Sequence, residues 1–259
     1  MSERSGTERG QLARSGFVDP DRARLAFEAL AGLDPFESSL IPDLAEDFGA
    51  AADPDLALTQ FLRLAEACDQ RLRSGLVADD AFRGRVIDIL GTSEALGDHL
   101  IRIPGDLEVL ADAEALAVAP SAREMRQDLL LAVGADPTML EPVAADPVAA
   151  TDALRRAYRR HLLGIATRDL SGVASMEAVA TWLSDVADAT LEAALAIARA
   201  EVGESAFTCR LAVIGMGKCG GRELNYISDV DVIFVAEPAE GCEESDALGA
   251  ATRLASALM

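Results

Sequence analysis

Helical periodicity holds this chain until Leu211, where the first strand-like run begins, and that order limits the fold to a helical region followed by a small α/β unit. Asp-Pro pairs recur at Asp19-Pro20, Asp34-Pro35, Asp53-Pro54, Asp136-Pro137 and Asp146-Pro147. Each is a helix-start signal, because the carboxylate accepts orphan N–H groups and proline loses nothing at the first helical position. Apolar spacing predicts helices over 21–33, 54–65, 81–90 and 93–101. Ser121-Ala122-Arg123-Glu124 is a capping box that introduces a helix over 125–133. The two longest helices are expected over 147–166 and 176–202. The fold class expected is mainly α with a partial α/β unit. Residues 1–52 are left unassigned, with a frayed polar start over 1–16. A helical region spans 53–205 and an α/β unit 206–259, with the boundary at Gly203–Thr208.

The stretch Leu211–Glu237 carries the chemistry. Leu211-Ala212-Val213-Ile214 reads as a buried strand. A turn containing Gly215, Gly217, Lys218, Gly220 and Gly221 follows, then a short helical segment at Arg222-Glu223-Leu224. Asp229-Val230-Asp231 is expected to open a second strand that continues through Val235. Residues i and i+2 of a strand share a face, so Asp229 and Asp231 would converge on a divalent cation, Mg²⁺ or Mn²⁺, with Val230 and Val232 turned to the core. The glycines let backbone N–H groups approach phosphate oxygens, Lys218 adds positive charge, and Ser228 is a further phosphate donor. Paired ions of this kind can hold both oxygens of an in-line displacement at phosphorus.

Two rival readings fail on physical grounds. Gly215-Met216-Gly217-Lys218-Cys219-Gly220 fits the dinucleotide fingerprint, with Glu237 near the distance of a ribose-binding acid. The chain between Gly220 and the next strand is too short for the full helix that such a unit packs on its sheet. A Walker loop would need Ser or Thr after Lys218, where Cys219 stands. A structural hairpin with solvated aspartates would leave the glycines, the lysine and both carboxylates as coincidence.

A formal net charge of -21 argues against nucleic acid and against anionic membranes as partners. The polar start lacks an apolar leader core and no apolar run approaches membrane-spanning length, so a cytoplasmic location is expected. Cys68, Cys209, Cys219 and Cys242 show no paired spacing and read as free thiols. With aromatic content of only 4%, the core is expected to be Ala, Leu and Val. Arg155, Arg156, Arg159 and Arg160 form a basic helix face that either pairs with local carboxylates such as Asp152 and Asp169 or meets phosphate; local pairing is favoured. His99, His161 and Trp182 read as structural, and Cys219 as a small core filler.

The pattern G-M-G-K-x-G-G-x-E-L-N-x-x-S-D-x-D from Gly215 to Asp231 resembles the nucleotidyltransferase signature of the glutamine synthetase adenylyltransferase and adenylyl-removing enzymes, in the DNA polymerase beta-like superfamily. The resemblance extends to Gly91–Leu96, Leu107–Leu110 and Leu154–Leu170, and covers about Leu62 to Ala236. Cys219 departs from it, since an apolar residue such as Leu is expected there.

The resemblance implies an N-terminal helical bundle leading into a truncated nucleotidyltransferase palm. It implies Asp229, Asp231 and Lys218 as catalytic residues, with metal on the two aspartates. Gly215, Gly217, Lys218, Gly220, Gly221 and Ser228 would bind nucleotide and phosphate. The implied reaction is phosphorolysis of adenylyl-tyrosine on glutamine synthetase, giving ADP. Implied partners are glutamine synthetase, ATP or ADP, phosphate and a PII-type signalling protein. ATP-dependent adenylyl transfer and a non-catalytic docking module are the alternatives. The resemblance also implies a third carboxylate from a later strand, so the sequence reads as an N-terminal fragment with little activity alone.

Overall fold

The computed structural model describes residues 9–259, which are mainly helical and include one two-stranded sheet. After a helical segment over residues 9–14, the principal helices of the first part are α1 (Pro20–Ala31), α2 (Ile41–Gly49), α3 (Pro54–Ala67), α4 (Gln70–Ala78), α5 (Asp80–Thr92) and α6 (Glu94–Arg102). Then come α7 (Ala122–Ala132), α8 (Pro147–Leu170) and α9 (Met176–Val202). The hairpin region consists of β1 (Cys209–Gly215), the one-turn α10 (Gly217–Gly220) and β2 (Val232–Pro238), followed by α11 (Glu244–Leu258). Contacts divide the chain into two units. One holds residues up to Ala117 with Ala166–Val173; the other holds Val118–Ile165 with Ala174–Met259.

Local capping explains most helix starts. Asp19 Oδ1 accepts from the Arg22 N–H at 3.1 Å and Asp53 Oδ1 from the Leu56 N–H at 2.9 Å, each ahead of a proline at the first helical position. Asp69 and Asp79 cap α4 and α5 in the same way without a proline. Two of the Asp-Pro pairs start no helix. Asp136 Oδ1 instead accepts from the Thr138 N–H at 2.8 Å and its hydroxyl at 2.7 Å, closing a side-chain turn. Asp34 precedes a cis proline, and its carboxylate accepts from Gln70 Nε2. The capping box at Ser121 and Glu124 forms in both directions.

The first unit corrects the reading of residues 1–52 as unassigned. Residues 1–8, where part of the expected frayed start falls, lie outside the described residues, while α1 and α2 fold in the remainder. Five phenylalanines pack edge to face in one relay: Phe17 on Phe27, Phe27 on Phe48, Phe48 on Phe61 at 5.2 Å, and Phe61 on Phe36. The expectation of an Ala, Leu and Val core therefore misses the centre of this unit. Beside the relay, the buried Arg83 pairs with Asp47 at 2.8 Å and Asp80 at 2.9 Å. His99 is a core residue, its Nε2 2.7 Å from Asp106 Oδ2.

The second unit is organised on α9, whose Leu183, Val186, Ala193 and Ala196 pack with Met125, Leu129 and Leu130 of α7. Arg126 clamps the pair by reaching both carboxylate oxygens of Glu192 at 2.7 and 2.6 Å, and by donating to the Pro137 carbonyl. Further along α9, Leu195 and Ala198 share a core with Ala250 and Leu254 of α11, against which Leu211 and Val213 pack. This shared core moves the division expected at Gly203–Thr208. That segment is a 3₁₀ turn inside the second unit, because α9 and α11 pack together across it. Among the described residues no helix is long and apolar enough to cross a membrane.

Phe61 is fully buried within the aromatic relay, between Phe48 and Phe36. Phe61→Ala is expected to cost about 3–5 kcal/mol, read as a lowered urea midpoint. Leu140→Ala, at a side chain 94% exposed, is expected to leave the midpoint unchanged.

Candidate functional site

The candidate site is assembled by a hairpin whose connecting segment is tied down to α9. β1 and β2 pair antiparallel in the register Ile214↔Ile233 and Gly215↔Val232, and the Met216 N–H adds one further bond to the Asp231 carbonyl at 2.8 Å. The ladder thus closes with Asp231 at its open end. Between these points the chain makes the single turn α10, closed by the Gly220 N–H on the Met216 carbonyl and the Gly221 N–H on that of Gly217. The expected helix at Arg222–Leu224 is therefore misplaced. The helical turn falls on the glycines, and Arg222 ends it with φ 59°, a left-handed conformation unusual for a side-chain-bearing residue.

The Arg222 N–H on the Cys219 carbonyl at 3.1 Å and the Glu223 N–H on the Lys218 carbonyl at 2.8 Å close that reversal, and contacts to α9 anchor it. Arg222 Nη2 lies 2.6 Å from Asp185 Oδ1 of α9, and the Leu224 N–H donates to Ser184 Oγ while the Leu224 side chain enters the α9 core. Cys219 sits beneath the turn, 3% exposed, with Sγ 3.8 Å from Asp188 Oδ1. Burial and the neighbouring carboxylate push its thiol up, so it remains protonated and fills space. Burial, and then Asp185, also push the Asp188 carboxyl up. A cleft of about 460 Å³ opens here, lined by Asp188, Glu192, Val213, Gly215, Cys219 and Arg222, and it does not include the paired aspartates.

Asp229 and Asp231 do not open the strand as expected. β2 starts at Val232, so Asp231 immediately precedes it and Asp229 lies in the loop before that. Both are exposed, as is Lys218 on α10. The reason is pairing: β1 has its last ladder partner in Val232, and the chain beyond is released to the loop. Val230 is also 38% exposed rather than core. The Ser228 hydroxyl donates to Asn225 Oδ1 at 2.6 Å, and the Ile227 N–H shares that acceptor at 3.2 Å. The Ser228 proton is therefore engaged within the loop, and Asn225 is the organiser of the segment leading to Asp229.

The glycines have distinct steric reasons. A Cβ on Gly220 would lie 2.3 Å from the Gly215 carbonyl oxygen, so strand and turn could not meet. Gly217 has φ 53°, and a Cβ there would lie 3.3 Å from Asp231 Oδ2. The Asp231 carboxylate thus faces bare backbone at the head of the turn. An exposed carboxylate beside an open glycine cradle, with a second exposed aspartate two residues before it, suits Mg²⁺ or Mn²⁺ held jointly with ligand phosphates, a mode that needs only one or two protein oxygens. Among the described residues no group of three or more His, Cys, Asp or Glu is placed to hold a metal alone.

On the basic helix, Arg155 pairs with the Asp152 carboxylate at 3.3 Å, as the local reading expects, while Arg156 donates to the Asp152 main-chain carbonyl. The four cysteines are free thiols. Burial raises that of Cys68 to about 11.

Comparison with known sequences places this arrangement in context. The family described as glutamate-ammonia ligase adenylyltransferase matches residues 83–259. The chain is 47% identical, over 96% of its length, to the bifunctional glutamine synthetase adenylyltransferase/adenylyl-removing enzyme of Streptomyces avermitilis. Relatives of the same name from Streptomyces coelicolor and Cutibacterium acnes are 44% and 43% identical, over 96% and 95% of this chain. The chain spans about a quarter of the length of these relatives, 24 to 25%.

Gly220→Ala is expected to destabilise the second unit by about 1–3 kcal/mol, the range for forced overpacking. Faster amide exchange at Val213–Gly215 and a lowered melting temperature would report it. Gly84→Ala, where an added Cβ meets nothing within 4 Å, should be neutral or stabilising.

Proposed function

Because the chain belongs to the glutamate-ammonia ligase adenylyltransferase family, we propose that its hairpin is the nucleotidyl site of an adenylyl-removing reaction on glutamine synthetase. The observation that carries this reading is the Asp231 carboxylate standing over the bare backbone of Gly217, with Asp229 two residues away and Lys218 on the adjoining turn. Inorganic phosphate attacks the adenylyl phosphorus of the modified tyrosine. A new P–O bond to phosphate forms, the bond to the tyrosyl oxygen breaks, and ADP leaves with the tyrosine restored once a proton reaches its oxygen.

Two anions must meet in that step, and the repulsion between them is the main barrier. Asp229 and Asp231 are the residues that would hold Mg²⁺ or Mn²⁺, which supplies charge neutralisation and a template for in-line displacement. Lys218 contributes a further positive charge from the turn, and the glycine backbone admits phosphate oxygens at close range. The Asn225–Ser228 contact keeps the loop in shape ahead of Asp229.

ATP-dependent adenylyl transfer is the second reading, favoured by the double activity in the relatives' names. The two are separated by the anion that drives release of the adenylyl group, phosphate in the first and pyrophosphate in the second. A PII-type signalling protein and a cytoplasmic setting belong to the same proposal.

Asp229→Asn and Asp231→Asn are each expected to abolish Mg²⁺-dependent ADP binding by calorimetry, and to lower phosphorolysis by on the order of 10²–10³-fold. Metal-dependent ADP binding that survives both substitutions would contradict the site.

A further inference from the structure

The hairpin exposes one face that its role in binding nucleotide leaves unused. Directly opposed residues of an antiparallel pair share a face. Leu211 and Val213 turn inward to the α9–α11 core. The opposite face carries the pairs Ile214–Ile233 and Ala212–Val235, ending at the exposed Arg210–Glu237 ion pair. The ladder bond from Met216 to Asp231 continues this face to the catalytic end. Ile214, Ile233 and Val235 are 45, 49 and 50% exposed, and Met216 is 41% exposed. At the tip of the adjoining loop, Ile227 is 98% exposed.

We infer that this aliphatic strip is the docking surface for the segment of the protein substrate that carries the adenylyl group, an inference that rests on the function proposed above. Continuity is the first argument, since the strip runs unbroken to Asp231, where the phosphorus would sit. Length is the second. Asp231 to Glu237 spans roughly 20 Å at ~3.3 Å per residue, whereas same-face pairs repeat every ~7 Å, so a single base covers one pair and leaves the others bare. An extended polypeptide of about six residues covers the whole strip. Charge is the third. A second copy of this chain would bring another net -21 against the first, and an anionic lipid surface would be repelled likewise. A polypeptide docked on this face places its modified side chain at the aspartates while its neighbours cover Ile214, Ile233 and Val235.

The test is Val235→Arg in the native full-length polypeptide, assayed on adenylylated glutamine synthetase. The expected result is a KM for the protein substrate raised at least about tenfold, with kcat and Mg-ADP affinity within about twofold, as for loss of a central contact. A KM within about twofold of the unaltered enzyme overturns the docking surface, and so does an equal loss of Mg-ADP affinity. Asp231→Asn probes the underlying reading separately, because retention of turnover there sinks the nucleotidyl site whatever Val235→Arg does. A benzophenone side chain placed at position 235 guards against a merely misfolded variant. Photolysis with purified adenylylated glutamine synthetase should give the cross-linked pair. No such pair, or an adduct within the same chain or to a second copy, overturns the inference.

Discussion

The geometry of the candidate site depends on how the segment between the two strands is held to α9. The Glu223 N–H closes the reversal after α10 on the Lys218 carbonyl at 2.8 Å, and the Arg222–Asp185 ion pair and the Leu224 anchor hold the reversed chain to α9. That reversal brings the loop back so that the Asp231 carbonyl meets the Met216 N–H. The left-handed Arg222 is the point where this requirement overrides local preference, and residues held in such conformations persist only when surrounding contacts over-determine them. A buried carboxylate on a long helix thus anchors the turn from which the loop returns to Asp231.

The helices show a division of labour with the same logic. α9 is long enough to serve two cores, one with α7 and one with α11, and the hairpin rests on the second. Strand pairing, turn and helix belong to one compact unit, so the carboxylates adjoin a packed base although they are themselves solvent-facing. The first unit is independent in kind: it is centred on stacked aromatic rings, while the second is filled mainly by alanine and branched aliphatics.

What the sequence revealed and what it concealed divide along the range of the forces involved. Asp19, Asp53 and Ser121 were legible as helix starts because a cap acts over three residues and carries its own signature. The bounds of α9 were legible for the same reason, with Ser175 at one end and Gly203 at the other. Asp34 and Asp136 carry the same local signal, yet a competing side chain, Gln70 or Thr138, takes up their carboxylates. The phenylalanine relay was illegible, since its members are scattered from 17 to 61 and meet only through tertiary packing. At the site, the strand, turn and strand order was legible in the pattern, but the start of β2 was misread because it is set by the partner strand. The openness of one sheet face could not be read from Leu211–Ile214, where a continuous apolar run looks the same whether one or both faces are covered.

The two-stranded ladder has a colloidal consequence. Among the described residues each strand pairs on one side only, so each presents a row of main-chain donors and acceptors beside half-exposed aliphatic side chains. Edges of this kind template strand addition between molecules. The strong acidity of the chain opposes that association through long-range repulsion, which reaches only about 8 Å at physiological ionic strength. Added salt therefore shifts the balance towards association, because it shortens the repulsion while leaving the edge untouched.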